Sequence, residues 1–338
     1  MYNNFGFTPY GYSYPPIYNM SVQEYSERKE LKRASMAIGS AFLIMQAIEI
    51  IIQLAVVLFT AMLGLSFTSL LEDAGTVWLE QIIISALIFT VPFIISAKIM
   101  RFKLGNLLPL HKVKVGFFAP LVMVGVGVSM LGNYATGYLG SIISIFGISP
   151  AQQNIDNPTG VWGWMLVILG SAFVPALVEE FAMRGVVLGS LRRFGDGFAI
   201  FVSAALFGLM HGNLVQAPFA FVVGLGLGYI TVVSGSMWPA ITVHFLNNFL
   251  ATVLNEFMSG MAPSLFTLAN IVYALLMLSI GIFGAVLLIR LKPESFRLSA
   301  ADSHISVKGR VGIFSATPLM ILTFAVFAFT MILVQFLY

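Results

Sequence analysis

Residues 161–185 read VWGWMLVILGSAFVPALVEEFAMRG. The run from Trp162 to Leu177 carries no charge, and it is followed by Glu179, Glu180 and, four residues on, Arg184. An ionisable side chain within a membrane span costs about 2.5 kcal/mol or more and is a functional-site hypothesis by default. On a helix, Glu180 and Arg184 stand at i and i+4 with the acid on the N-terminal side, the favourable order for an ion pair. Glu179 to Arg184 is i+5, which turns Glu179 toward another face. The spacing therefore assigns Glu180 and Arg184 to each other and leaves Glu179 free for chemistry. The competing reading is a helix that ends at the membrane surface with ordinary interfacial charges.

Working outward, the 338-residue chain is 59% hydrophobic and 9% charged, with a mean hydropathy of +0.94. Soluble domains run at roughly 25% charged. The composition predicts an all-α, polytopic transmembrane helix bundle. The apolar runs are continuous and about 20 residues long, whereas barrel strands span about ten and alternate. Cysteine is absent, which excludes disulfides, thiol catalysis and thiolate metal sites. Basic residues form short clusters beside spans, which fits topology and contact with anionic lipid rather than nucleic acid.

Hydropathy places nine spans, at about 36–64, 77–98, 115–135, 161–190, 197–212, 217–233, 238–256, 266–290 and 313–337. The fifth and sixth are short, so the expectation is eight to nine spans. Arg28, Lys29, Lys32 and Arg33 precede the first, and Glu72 and Asp73 follow it. Lysines and arginines also cluster after the second, fourth and eighth spans. That alternation predicts a cytoplasmic N-terminus. Residues 1–34 read as a disordered tail followed by an interfacial segment. Residues 35–135 hold the N-terminal helices, 161–256 a central core and 257–338 the C-terminal helices. Asn154 to Gly160 is a loop of turn residues. Gln46, Glu49 and Gln53 form a polar stripe on the first span that faces the bundle interior, for interhelical hydrogen bonds or for a substrate.

His111 and His304 fall in basic loops, but His211 and His244 fall in apolar surroundings. Phe207 and His211 are i and i+4, and Gly212-Asn213 then suits a helix end. His244 and Asn248 are also i and i+4 and share a face, with Pro239 in the first turn of that helix. At about 1.5 Å per residue, Glu179 and His211 both lie about 20 Å in from the basic edge. His244 lies only about 10 Å in from Met237, unless the Ser234-Gly235-Ser236 turn stays below the surface.

A carboxylate held out of bulk water is a competent base for a water molecule. Histidine and asparagine N–H groups can hold that water and stabilise the oxyanion of a tetrahedral intermediate. Glu179, His211 and His244 are also a ligand set for zinc with an open position. Against zinc, the sequence H-E-x-x-H is absent and no further ligand is evident. A proton-linked transporter also uses buried Glu and His.

The order E-E-x-x-x-R, F-x-x-x-H, H-x-x-x-N, each on a separate apolar segment, resembles the type II CAAX prenyl endopeptidase family, also called the CPBP or Abi family of intramembrane proteases. The likeness covers residues 161–256, with about 32 residues from Glu179 to His211 and about 33 from there to His244. It implies a peptidase that cuts membrane-associated protein or peptide substrates; eukaryotic members remove the last three residues of prenylated proteins. It implies that Glu179 activates water and that Glu180 pairs with Arg184. His211, His244 and Asn248 would line the site, the last two as oxyanion stabilisers, with Phe207 in support. A metal-free glutamate mechanism is expected, zinc being the alternative. Because the family includes bacterial proteins tied to bacteriocin immunity, the alternative function is a non-enzymatic immunity protein that binds such a peptide, and the expected location is a bacterial plasma membrane.

Overall fold

The computed structural model describes residues 21–62, 64, 74–145, 160–299 and 303–337. The tail expected over 1–20, the acidic pair Glu72-Asp73 and the loop residues 154–159 lie outside the described residues. Among the described residues ten helices carry the fold: α1 (Val22–Met62), α2 (Ala74–Ile99), α3 (Val115–Ile145), α4 (Gly160–Phe194), α5 (Asp196–Leu209), α6 (Gln216–Ser234), α7 (Trp238–Ser259), α8 (Pro263–Leu291), α9 (Val307–Ser315) and α10 (Pro318–Leu337). Among the described residues there is no strand, only an isolated bridge between Leu110 and Ser236. The protein is an all-helical integral membrane protein.

Each of the nine predicted spans is helical, but fewer are long and apolar enough to cross a bilayer. Six helices qualify among the described residues, or seven if α9 and α10, bent by 76°, are counted as one broken span. The difference lies in two elements. α5 has 14 residues, about 21 Å of helix against a hydrocarbon core of about 30 Å. α7 is long enough, but His244, Asn247, Asn248 and Glu256 dilute its apolar character. These two helices carry His211 and His244 toward α4.

The boundaries carry further corrections. The mixed-charge segment Ser21–Arg33 is continuous with the first span, since α1 runs unbroken for 41 residues from Val22. At about 60 Å it is twice the hydrocarbon thickness, so its charged start stands clear of the apolar layer. α3 continues to Ile145, into what hydropathy reads as a loop. The polar stripe on α1 is satisfied within its own helix: Gln46 Nε2 donates to Glu49 Oε2 at 3.2 Å. Gln53 is exposed rather than turned inward.

Packing follows small residues where backbones must meet. α8 lies along α3, and a Cβ on Gly127 would sit 2.7 Å from the Gly281 Cα. A Cβ on Gly284 would meet Met123 Cβ at 2.6 Å and the Pro120 carbonyl at 2.8 Å. Small residues at such crossings let helices associate in lipid by close van der Waals contact. Gly127→Val therefore forces the pair apart, at about 1–3 kcal/mol for overpacking. The expected result is a lower unfolding midpoint in detergent.

A second packing unit joins the two ends of the described chain. Phe42 of α1 meets Phe93 of α2 and Phe327 of α10 edge-on, at 5.2 and 5.4 Å. Ser35 Oγ bonds Thr317 Oγ1, and Thr323 Oγ1 donates to the Gly39 carbonyl at 3.1 Å. Toward the basic end the same association continues in polar contacts. Arg193 pairs with Glu30 at 2.8 Å, the Arg310 guanidinium donates to the Phe194 carbonyl, and Glu27 accepts from the Ser303 hydroxyl and the His304 amide. Gly195, at φ 109°, makes the sharp turn from α4 into α5.

Candidate active site

α4 brings Glu179 and Glu180 to mid-span, because the helix runs on past them to Phe194. It is not regular. π-helical turns occupy Leu169–Phe173 and Phe181–Leu188, on either side of the two acids. Such turns are rare and appear most often at functional sites.

Glu180 and Arg184 are fully buried and paired, Oε1 to Nη1 at 2.8 Å. The guanidinium also donates from Nη2 to the Gly224 carbonyl of α6 at 3.3 Å and lies 4.5 Å from the centre of the Phe207 ring. A buried arginine needs this many partners, since the desolvation of each ion costs several kcal/mol.

The structure adds a contact that the spacing did not reveal. His244 Nδ1 donates to the same Glu180 Oε1 at 2.9 Å. Glu180 thus holds Arg184 and His244 together, and the bond sets the His244 ring so that Nε2 points away from it. That nitrogen stands 3.9 Å from Glu179 Oε2, with the two side chains 8% and 13% exposed. The gap is too long for a hydrogen bond, and one water at about 2.8 Å from each atom spans it. Glu179 Oε2 is itself buried with no hydrogen-bond partner in the chain, as are Glu180 Oε2 and Arg184 Nε. Buried polar atoms of this kind are ordinarily met by ordered water.

His211 is placed by the end of α5. Its Nδ1 donates to the Phe207 carbonyl at 2.7 Å, one of the last-turn carbonyls that a helix leaves without an amide partner. This explains F-x-x-x-H physically: the histidine caps the helix with one nitrogen and keeps Nε2 for other work. Gly212 follows at φ 62°, a left-handed value that glycine adopts without strain. Asn213 Oδ1 then accepts from the Val215 and Gln216 amides, starting α6. Phe207 is the common wall, edge-on to His211 at 5.0 Å and to His244 at 5.8 Å.

His244 reaches Glu179 despite the shallower depth that its sequence position implies. The Ser234–Ser236 turn does not reach the edge of the molecule. Ser236 is buried, Met237 N–H donates to the Pro109 carbonyl at 2.7 Å, and Leu110 bridges to Ser236. The connection between α2 and α3 covers that turn and lets α7 begin deep.

Asn248 is more constrained than a free oxyanion donor. Its Nδ2 donates to the Ser171 carbonyl at 3.1 Å, and its Oδ1 accepts from Asn247 Nδ2 at 3.1 Å. One N–H of Nδ2 is left. Ser171 and Thr252 hydroxyls also meet, at 3.1 Å. Asn247, Ser171 and Thr252 were not singled out by sequence; the doubled Asn247-Asn248 was the available signal.

Residues 161–250 match the model of a family described as type II CAAX prenyl endopeptidase Rce1-like. Over those residues the chain is similar to that Rce1-like family. The match runs from the start of α4 into α7 and includes Glu179, Glu180, Arg184, Phe207, His211, His244 and Asn248, while α1–α3 and α8–α10 lie outside it. No curated protein and no solved structure matches the chain. A zinc ion would need three or more of the chain's side chains gathered around it. Among the described residues no three His, Cys, Asp or Glu side chains are grouped so as to hold one. Glu179, His211 and His244 do not form such a set, and His244 commits Nδ1 to Glu180. These residues do not fit a metal site as they stand.

Proposed function

We propose that the protein is an intramembrane endopeptidase that hydrolyses a peptide bond of a membrane-associated protein or peptide, of the CAAX type, by glutamate-activated water. The observation that carries this reading is the buried, unpartnered Glu179 Oε2 set 3.9 Å from His244 Nε2, next to a second glutamate already neutralised by Arg184. The Rce1-like match over the same helices supports it.

In this mechanism a water sits between Glu179 and His244. Glu179 takes its proton as the oxygen forms a bond to the scissile carbonyl carbon, and the carbonyl π pair moves onto oxygen. The remaining Nδ2–H of Asn248 stabilises the oxyanion, as preorganised donors do. His244 gives a second hydrogen bond from Nε2 when it carries both protons, and Glu180 on Nδ1 stabilises that imidazolium, the part a carboxylate plays behind histidine in other hydrolases. Collapse breaks the C–N bond, and the amine leaves with the proton held by Glu179. His211 lines the cavity with its ring fixed through Nδ1. The basic loops lie on the cytoplasmic face, so that the site opens to that side.

The test is cleavage by the purified protein in liposomes. The substrate is a membrane-anchored peptide ending in a prenylated cysteine and three further residues, with an unprenylated, acyl-anchored version beside it. Release of the C-terminal fragment, read by mass spectrometry, is expected. No cleavage of either peptide overturns the reading. Cleavage is also expected to persist unchanged in chelator; its loss, restored by zinc, assigns the water to a metal instead.

A further inference from the structure

The last turn of α2 and its connection to α3 carry Lys98, Arg101, Lys103, Lys112 and Lys114, and no Asp or Glu occurs between Glu80 and Asp156. All of these cations are exposed, and none belongs to an ion pair among the described residues. Arg101 stands at φ 61°, in the left-handed position after a helix that glycine ordinarily takes. The charges flank the ends of two spans, α2 and α3, which puts them at headgroup level. Close by, Lys292 at the end of α8 lies 4.3 Å from the centre of the Phe117 ring of α3, with Arg290 and Glu294 on either side of it in sequence.

The other side of the same segment is apolar and rests on the candidate active site. Leu107 is buried, and its carbonyl would stand 2.7 Å from a Cβ on Gly189. A Cβ on Gly185 would collide with Leu108 Cδ2, so the segment lies against α4 just past Arg184. The Pro109 carbonyl accepts from Met237 N–H at 2.7 Å, and Met237 leads directly into α7, the helix of His244. One strap therefore ties the start of α7 to α4, while its outer face holds cations that repel one another.

We propose that residues 98–114 bind the headgroup phosphates of anionic phospholipids, and that this neutralisation clamps the start of α7 against α4. Clusters of lysine and arginine beside a span draw anionic lipid in this way. A ligand that binds the folded strap stabilises the fold by mass action. The lipid half of the inference needs only a protein set in a membrane; its effect on catalysis rests on the peptidase reading above.

The test compares the full chain in nanodiscs of phosphatidylcholine with and without about 30% phosphatidylglycerol. With the anionic lipid the wild-type unfolding midpoint is expected to rise by about 5 °C, and deuterium exchange across residues 234–238 to slow. Lys103→Gln/Lys112→Gln/Lys114→Gln loses more than half of that rise, and its midpoint in phosphatidylcholine alone is unchanged or higher. Lys29→Gln/Lys32→Gln/Lys308→Gln removes the same charge from exposed lysines of α1 and α9 and keeps the rise. No rise in the wild type, or equal losses in the two triple variants, overturns the proposal. An equal rise from inorganic phosphate in phosphatidylcholine alone overturns it too, because the ligand is then a soluble anion. For cleavage, kcat is expected to be about 5-fold higher or more with the anionic lipid, and the strap variant not to respond. A wild-type kcat that is the same in both lipids overturns the clamp. If the wild type cleaves nothing in either lipid, the peptidase reading fails while the midpoints and the exchange still decide the strap.

Discussion

Glu179→Gln gives a protein that inserts and unfolds as the wild type does but no longer cleaves a membrane-anchored peptide. The amide has the shape of the acid without its basicity, so the water loses its proton acceptor. Positioned general bases contribute about 100- to 10,000-fold, and a loss of about 1,000-fold corresponds to about 4 kcal/mol of transition-state stabilisation. The stability half of this prediction is as informative as the activity half. Glu179 Oε2 makes no hydrogen bond within the chain, so neutralising it breaks nothing. It also removes a negative charge next to Glu180, and the midpoint should hold or rise. Glu180→Gln, one residue on, should fall in stability and in activity together, because Glu180 Oε1 serves both Arg184 and His244. If both glutamines behave alike in the cleavage and unfolding measurements, this division between the two acids is wrong.

Arg184→Met is expected to have the largest effect on folding. It strips the cation from a carboxylate that is fully buried, and breaking a buried pair in this way typically costs about 3–5 kcal/mol. At roughly 2–4 °C per kcal/mol for a chain of this order, the midpoint falls by about 10 °C, and the yield of inserted protein falls with it. Methionine keeps a contact with the Phe207 ring over which the guanidinium lies, so the loss reports charge rather than volume. Adding Glu180→Gln to Arg184→Met removes the stranded charge and restores much of the midpoint. It does not restore cleavage, because His244 then lacks the carboxylate on Nδ1. An Arg184→Met protein as stable as the wild type would remove the ion pair from the account of the fold.

Much of the site was legible in sequence wherever its geometry is local. The i, i+4 spacing of Glu180 and Arg184 predicts the bond found at 2.8 Å, and that of Phe207 and His211 places the two rings on adjacent turns, where they meet at 5.0 Å. The i+5 offset of Glu179 predicts a carboxylate kept out of the ion pair, as observed. What was not legible depends on contacts between helices. Glu180 and His244 are 64 residues apart in the chain, and their meeting depends on the buried Ser234–Ser236 turn, which hydropathy places at a surface. The π-helical turns of α4 have no periodic signature in so uniformly apolar a stretch. The span count rested on hydropathy, which does not distinguish a crossing helix from the short α5 enclosed by its neighbours. The family likeness named the partners on α4, α5 and α7 but is silent on α1–α3 and α8–α10, which lie outside the matched residues.

The joining of α1 to α10 has a consequence for biosynthesis. Ser35 and Thr317 bond across 282 residues of chain, and Thr323 reaches Gly39 across 284. The face of α1 that carries them leaves the ribosome about 280 residues before its partner on α10. At about 5–20 residues per second, that interval is roughly a quarter of a minute to a minute. Throughout it α1 sits in the bilayer with its mate on α10 unmade. Assembly of this protein is therefore a ring closure in which α10 must return to α1 before these bonds can form.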